Sequence, residues 1–305
     1  MDNKQSSLHI WKWRNLDISW KIEGIEVNSP ISIVLIHGFG GCKEHWRHNQ
    51  TVLSKSSPCY AIDLIGFGSS SQPTAQLKGE EPSADSFEYC FDSWGHQIAD
   101  FCLEIVKKPV ILIGNSIGGV IALRASKLLK DNCAGIVLID CAQRAMDDKR
   151  LLEQSILMRV SRPFLKSIVK KRWLSNNLFR NAANPKVIKN VLKQAYPSGQ
   201  NIDKELIHLL YKPSVREGAS EAFRGFINIF DDHLAPDLME NLNIPVDLIW
   251  GESDPWEPIQ EAKNWKLNIS CVRSLEIIQG AGHCPHDEFP NDVNKLLLKI
   301  IHEAT

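Results

Sequence analysis

Ser116 has the setting that most directly suggests chemistry. It is the centre of Gly114-Asn115-Ser116-Ile117-Gly118, with Gly119 after it. An apolar, strand-like run from Val110 to Ile113 leads in, and a helix-like run from Val120 to Leu129 follows at once. Gly-x-Ser-x-Gly between a strand and a helix is the pattern of a nucleophile elbow, a sharp turn that lifts a serine hydroxyl above a sheet edge. Gly114 and Gly118 are expected where a side chain would collide with the turned backbone. The N-terminus of the following helix, with free N–H groups and the positive end of its dipole, favours a developing negative charge. The bland alternative is a glycine-rich strand-to-helix turn with no chemistry.

A serine is a weak nucleophile until a base takes its proton. In the chain order that accompanies this elbow, an acid and then a histidine follow the serine. Pro245 to Trp250 reads as a strand, and Gly251-Glu252-Ser253-Asp254-Pro255 places Asp254 on a loop just past its end. Val272 to Ile278 reads as the next strand and runs into Gly280-Ala281-Gly282-His283-Cys284-Pro285-His286. His283 would act as general base and then as the acid that protonates the leaving group. Asp254 would hold the imidazole in the right tautomer and stabilise its cation. Upstream, the apolar run Ile31 to Ile36 ends in His37-Gly38-Phe39-Gly40-Gly41. Backbone N–H groups of Phe39 and Ile117 would cradle the oxyanion, each typically worth about 3 kcal/mol in the transition state.

Each role has a rival. Asp254 could merely cap a helix that Pro255 and Pro258 favour. Asp140, ending the strand Gly135 to Ile139, is a second candidate acid, less well placed than Asp254. His286 follows Pro285 on the first turn of a helix and reads as structural. The set His283, His286, Asp287 and Glu288 matches no standard ligand spacing, so no metal is expected. No dinucleotide fingerprint follows the first strand, so no cofactor is expected either. Asp63 reads as a strand-end residue bracing the turn Gly66 to Ser69.

These groups need a scaffold. Strand-like runs occur at Leu8 to Trp13, Asp17 to Ile22, Ile31 to Ile36, Cys59 to Leu64, Val110 to Ile113, Gly135 to Asp140, Val246 to Trp250 and Val272 to Ile278. Helical patterns such as Ser93 to Val106 and Gly118 to Leu129 lie between the later ones. Alternation of this kind predicts an α/β fold with a mainly parallel, eight-stranded sheet flanked by helices. The alternation breaks after the sixth strand. Residues 1–140 and 246–305 are expected to form the core domain, and residues 141–245 a helical insertion. Gln72 to Glu88, rich in Pro, Ser, Gly and Glu, reads as a surface loop.

Bulk properties fit an enzyme with a small-molecule substrate. The 305 residues suffice for one large domain and a subdomain. Thirty-five basic and 36 acidic residues argue against nucleic acid as a partner. Eight cysteines without a Cys-x-x-Cys pair read as small buried hydrophobes in a reducing compartment. Met1 to Ser7 is polar and carries no signal-peptide core. No apolar run approaches the roughly 20 residues that span a bilayer. A cytoplasmic protein, or one peripheral to an internal membrane, is expected.

Taken in order, His37-Gly38-Phe39-Gly40, Asp63-Leu64-Ile65-Gly66-Phe67-Gly68-Ser69, Gly114-Asn115-Ser116-Ile117-Gly118-Gly119, Gly251-Glu252-Ser253-Asp254 and Gly282-His283 resemble the α/β-hydrolase fold family over nearly the whole chain. The resemblance implies a serine hydrolase working through an acyl-enzyme, with 141–245 as a cap over the site. Some members take their acid from the strand that ends at Asp140. With His45-Trp46-Arg47-His48-Asn49 and Trp11-Lys12-Trp13 added, the chain is similar to plant and cyanobacterial pheophytinase and chlorophyll dephytylase-like hydrolases. That similarity implies a bulky hydrophobic ester as substrate, such as the phytyl ester of pheophytin or chlorophyll. The loop Gln72 to Glu88 departs from the group. Three alternatives stand beside this reading: a generic small-ester esterase, a carbon–carbon bond hydrolase of ring meta-cleavage products, and a ligand-binding protein without turnover. Carbon–carbon hydrolases also carry Gly-Asn-Ser-x-Gly-Gly but need an arginine near the elbow, and Arg124 is about two helical turns away.

The insertion has its own pattern. Arg159, Arg162, Lys166 and Lys170 recur at helical spacing, followed by Lys171 and Arg172, with apolar residues between them. Pro163 is expected to kink this helix or start a new one. The segment resembles a basic amphipathic helix that could contact an anionic membrane surface. The alternative is an ordinary insertion helix, apolar inward and solvated outside. Phe223, Phe226, Ile227, Ile229 and Phe230 form a second apolar cluster. Phe223 and Phe226, with Trp46 from the segment after the oxyanion loop, are candidate pocket residues.

Overall fold

Five parallel and two antiparallel pairings build the main sheet of the computed structural model, which describes residues 9–304. The polar segment Met1 to Ser7, and Leu8 at the start of the first expected strand, lie outside the described residues. The strands are β1 (His9–Trp13), β2 (Leu16–Glu23), β3 (Ser32–Ile36), β4 (Cys59–Ile62), β5 (Val110–Asn115), β6 (Cys133–Ile139), β7 (Val246–Gly251) and β8 (Val272–Ile278). Their order across the sheet is β1-β2-β4-β3-β5-β6-β7-β8. β3 and β5 are buried along their whole length. This matches their near-continuous Val, Ile and Leu content, since a parallel strand covered on both faces has no solvated side to make polar.

Alternate residues of these strands enter two cores. Val34, Ile36, Leu112, Leu138 and Leu248 face one side, packed with Val120, Ile121, Trp94 and Ile98. Ile33, Leu35, Ile111, Ile113 and Val137 face the other, packed with Trp46, Leu53, Val293 and Leu297. The register then aligns the strand ends: Ile36 pairs with Gly114, Asn115 with Ile139, Ile139 with Ile249, and Gly251 with Ile278. The loops carrying Gly38, Ser116, Asp140, Asp254 and His283 therefore leave the same sheet edge.

Between β6 and β7 run the helices Ile156–Lys170, Arg172–Ala182, Pro185–Ala195, Lys204–Ser214, Ala219–Ile227 and Ala235–Met239, with no strand among the described residues. Ser155 starts the first by accepting from the Met158 N–H at 3.3 Å. Pro163 does not start a new helix, one of the two outcomes expected: it lies inside one continuous element. The segment Gln72 to Glu88 is also more than a surface loop. Thr74–Ala75 and Ser86–Phe87 pair as short parallel strands, and the exposed residues are the tip at 78–85 and Glu88. The flanks are held by the helix Ala219–Ile227. Arg224 donates to Ala75 O at 3.1 Å, and Glu221 accepts from the Ala75 N–H at 3.0 Å.

Asp63 braces more than its own turn. Its fully buried carboxylate accepts from Ser69 N–H at 2.8 Å, Lys43 N–H at 2.6 Å and Lys43 Nζ at 2.8 Å. Burial pulls the Lys43 ammonium down, but Asp63 and Glu44 outweigh it and hold the group above its ordinary range. Asp63→Ala would leave a buried ammonium with only Glu44 beside it. The expected cost is about 3 kcal/mol, the lower end for breaking a buried pair. Urea unfolding checks this; a loss under about 1 kcal/mol, the range of an exposed pair, would contradict it.

Candidate active site

Ser116 occupies a turn that side chains rarely adopt, with φ 56° and ψ −123°. Such an outlier persists only where its surroundings over-determine it. Here the Ser116 N–H donates to Ile139 O at 3.0 Å, and its carbonyl accepts from Gly119 and Ala142 N–H at 3.0 and 3.1 Å. The turn is tight enough that a Cβ on Gly114 would sit 2.2 Å from Gly118 O, and one on Gly118 would sit 2.4 Å from Ile36 O. Both flanking glycines are thus steric requirements.

His283 Nδ1 lies 2.8 Å from Asp254 Oδ2. The other Asp254 oxygen accepts from the N–H groups of Trp256 at 2.9 Å and Glu257 at 3.2 Å. The carboxylate therefore orients the imidazole and closes a local turn at once; the next helix begins only at Ile259. Burial pushes the Asp254 carboxyl up, but the bonds from His283 and Trp256 prevail and hold it below its ordinary value. The His283 loop is fastened on both sides. Asn115 Nδ2 donates to His283 O at 3.0 Å, and His283 N–H donates to Ala195 O of the insertion at 2.8 Å. The insertion fits so closely that a Cβ on Gly282 would lie 2.2 Å from Ala195 O.

Asp140 is fully buried and does not meet His283. Its Oδ1 accepts from Gly251 N–H at 2.9 Å, while Oδ2 has no donor among the described residues and lies within reach of Asp254. Burial, then the Asp254 charge, raises its carboxyl well above the ordinary range. Burial and the neighbouring Asp254 charge thus favour the protonated form of Asp140 over its carboxylate.

The loop after β3 is set by His37. Leu64 N–H donates to His37 Nε2 at 3.1 Å, so the ring proton is on Nδ1, which donates to Gly38 O at 2.8 Å. Burial keeps this imidazole neutral by lowering its pKa. Phe39 N–H bonds no backbone carbonyl among the described residues. Ile117 is the first helical residue, whose N–H has no intrahelical acceptor. Both amides are available to an oxyanion.

Ser116, Ile117, Phe39 and His283 border one cavity of about 590 Å³. Phe226 lines it and stacks on Phe39, ring centroids 4.0 Å apart. Phe223 does not line it; it borders a side cavity of about 60 Å³ with Phe39 and Phe179. Trp46 is a correction of a different kind. Its short 3₁₀ turn, Lys43–Trp46, sends the ring into the core on the other face of the sheet, against His286 at 4.4 Å. His286 is buried there with neither ring nitrogen bonded among the described residues. No His, Cys, Asp and Glu grouping able to hold a metal occurs among the described residues. Six of the eight cysteines are buried and all eight are free.

Four cavity or site groups escaped the sequence reading: Asn115, Arg144, Trp256 and Glu257. Trp256 packs edge-on against His283 at 4.8 Å. Arg144 donates to Asp147 and to Ile229 O, lies 4.7 Å over the Phe91 ring, and keeps Nη1 without a partner among the described residues. Burial pushes the Glu257 carboxyl up to about 8. The folded protein then holds a proton that the unfolded chain releases near pH 4.5, so this stability is full below that value and is lost as pH rises to about 8. Glu257→Gln is expected to flatten the decline and raise Tm at pH 8 by a few degrees, at roughly 2–4 °C per kcal/mol. Thermal melts across that window check it; an unchanged slope would contradict it.

The family model described as "Alpha/beta hydrolase family" matches residues 33–296. The chain is similar to the chloroplastic pheophytinase of Arabidopsis thaliana, 26% identical over 94% of this chain and 64% of that protein. The chain thus spans under two thirds of that relative's length. It is 25% identical to the (lyso)-N-acylphosphatidylethanolamine lipase of Homo sapiens, over 90% of this chain and 80% of that protein. Among solved structures, a serine hydrolase involved in carbazole degradation superposes with a TM-score of 0.74 at 18% identity, covering 97% of this chain and 98% of that one.

Proposed function

The chain belongs to the alpha/beta hydrolase family and is a hydrolase, and on that premise we propose that it cleaves carboxylic esters with a bulky hydrophobic part through Ser116, His283 and Asp254. The observation that carries this is the His283–Asp254 contact, 2.8 Å long, beside Ser116 at the wall of a largely apolar cavity. Asp254 holds Nδ1, which leaves Nε2 for the serine. Ser116 Oγ attacks the carbonyl carbon as its proton passes to Nε2. The amides of Phe39 and Ile117 receive the oxyanion. Collapse breaks the bond to the alcohol oxygen, which takes the proton from His283. Water, deprotonated by the same imidazole, then clears the acyl group. Residues 141–245 serve as the cap that excludes bulk water.

The substrate we propose is a phytyl ester of the pheophytin or chlorophyll type. Support comes from the similarity to pheophytinase and from the aromatic and aliphatic lining supplied by Phe39, Phe226, Ile229 and Phe230. The proposed place of action is peripheral to an internal membrane; no helix among the described residues is long and apolar enough to cross one. Incubation with pheophytin a and chlorophyll a in mild detergent tests the substrate, with short nitrophenyl esters as control. Phytol release supports the reading; cleavage of short esters alone removes the pigment and leaves a small-ester esterase.

Arg144 favours one second reading. A half-buried arginine bordering the cavity suits a substrate carboxylate, as in carbon–carbon hydrolysis of a dienoate ketone. Bleaching of such a coloured ketone, without phytol release, would select it.

A further inference from the structure

The helix Ile156–Lys170 is amphipathic in the reverse of the usual sense. Ile156, Leu157, Val160 and Phe164 fall on one face at helical spacing, and that face points to solvent. Leu157 is 80% exposed, Val160 75% and Phe164 69%. Trp173, at the start of the next helix, is 64% exposed. The opposite face, turned into the protein, carries two of the four cations, Arg162 and Lys166. Arg162 is buried and donates through Nε to Asp148 Oδ1 at 2.8 Å. Lys166 reaches the same carboxylate at 2.7 Å and lies 4.7 Å over the Phe230 ring. The sequence expectation therefore needs correcting: these two cations brace the fold and do not face outward.

The surrounding charge says what covers this face. From Gln154 to Ile202 the chain carries ten lysines and arginines and not one aspartate or glutamate, while the whole protein has a net charge of −1. Arg159, Lys170 and Lys171 are exposed there and pair with no carboxylate among the described residues. A second copy seated on this face by two-fold symmetry would set one acid-free segment against another. An anionic lipid surface complements both features, taking the apolar side chains at the headgroup boundary and the cations at the phosphates.

We propose that the outward face of Ile156–Lys170, with Trp173, docks on an anionic lipid bilayer. The face adjoins the site. Phe230 beneath Lys166 lines the cavity, and so does Met146, whose carbonyl Arg162 holds. A bilayer-dissolved ester would enter the cavity beside Phe230 and Met146, which Ser116 also lines; only this last step rests on the ester-hydrolase reading.

Flotation with vesicles tests the docking without any turnover. Wild type is expected to float with equal mixtures of phosphatidylglycerol and phosphatidylcholine, binding them roughly tenfold or more tightly than phosphatidylcholine alone. Leu157→Glu with Phe164→Glu should lower binding by roughly tenfold or more. These substitutions are on solvent-exposed positions, so the melting temperature and turnover of a short nitrophenyl ester should be unchanged. Lys170→Glu with Lys171→Glu should remove the preference for the anionic vesicles. Failure of wild type to float, equal flotation of the apolar-face variant, or a wild-type dimer that this variant converts to a monomer in sedimentation velocity would each overturn the proposal. Vesicle binding without esterase activity would instead leave the docking face and remove the ester reading.

Discussion

Ser116→Ala is expected to lower kcat for a short nitrophenyl ester by about 10⁵ to 10⁶, the scale for removing the nucleophile of a serine triad. The expectation rests on geometry that alanine leaves in place. The bonds from Ile139, Gly119 and Ala142 to residue 116 all use its backbone, so the turn survives without the hydroxyl. KM and melting temperature should change little. His283→Ala should cost nearly as much, and the double variant no more than either single one, because the two act as a unit. Active-site-titrated enzyme is needed for the comparison. Activity above roughly one per cent of wild type in the serine variant would contradict the assignment, being far above what binding and the oxyanion donors alone supply. Cys284 is not a ready substitute nucleophile, because burial and then Asp287 push its thiol well above the ordinary range.

The second large effect separates two carboxyls that the sequence left in competition. Asp254→Asn is expected to lower kcat about 10⁴-fold, since an amide beside His283 Nδ1 favours the wrong tautomer. Asp140→Asn should change kcat by only a few-fold. Asparagine keeps an oxygen for Gly251 N–H and offers an N–H toward Asp254 where the neutral acid offers an O–H. Asp140→Ala removes both and should cost more than Asp140→Asn. Steady-state kinetics on the three variants checks the order. A collapse with Asp140→Asn, or near-normal turnover with Asp254→Asn, would mean that the acid is drawn from β6.

Residues at strand ends were legible because each joins a local pattern to a position in chain order. Gly114 and Gly118 stand where any side chain would meet backbone, and that necessity shows in the sequence as Gly-x-Ser-x-Gly. Apolar runs such as Ile31 to Ile36 and Val110 to Ile113 announce buried strands, and the eight strand-like runs correspond to the eight strands of the sheet. Side-chain direction was less legible. Trp46 stands beside the oxyanion loop in sequence, yet one 3₁₀ turn delivers its ring to the opposite core. The basic helix shows the same limit. Its period fixes two faces, but which one turns inward depends on Asp148, a residue in a different element. Arg144 and Glu257 join the cavity from irregular loops, where no period announces them.

The most direct test of the account is a rapid-quench reaction of the enzyme with a nitrophenyl ester, followed by peptide mass mapping. A burst of nitrophenolate approaching one equivalent is expected, with an acyl group on the peptide containing Ser116. Neither should appear with Ser116→Ala. Steady turnover with no acyl peptide, or an acyl group that persists elsewhere in the alanine variant, would contradict it.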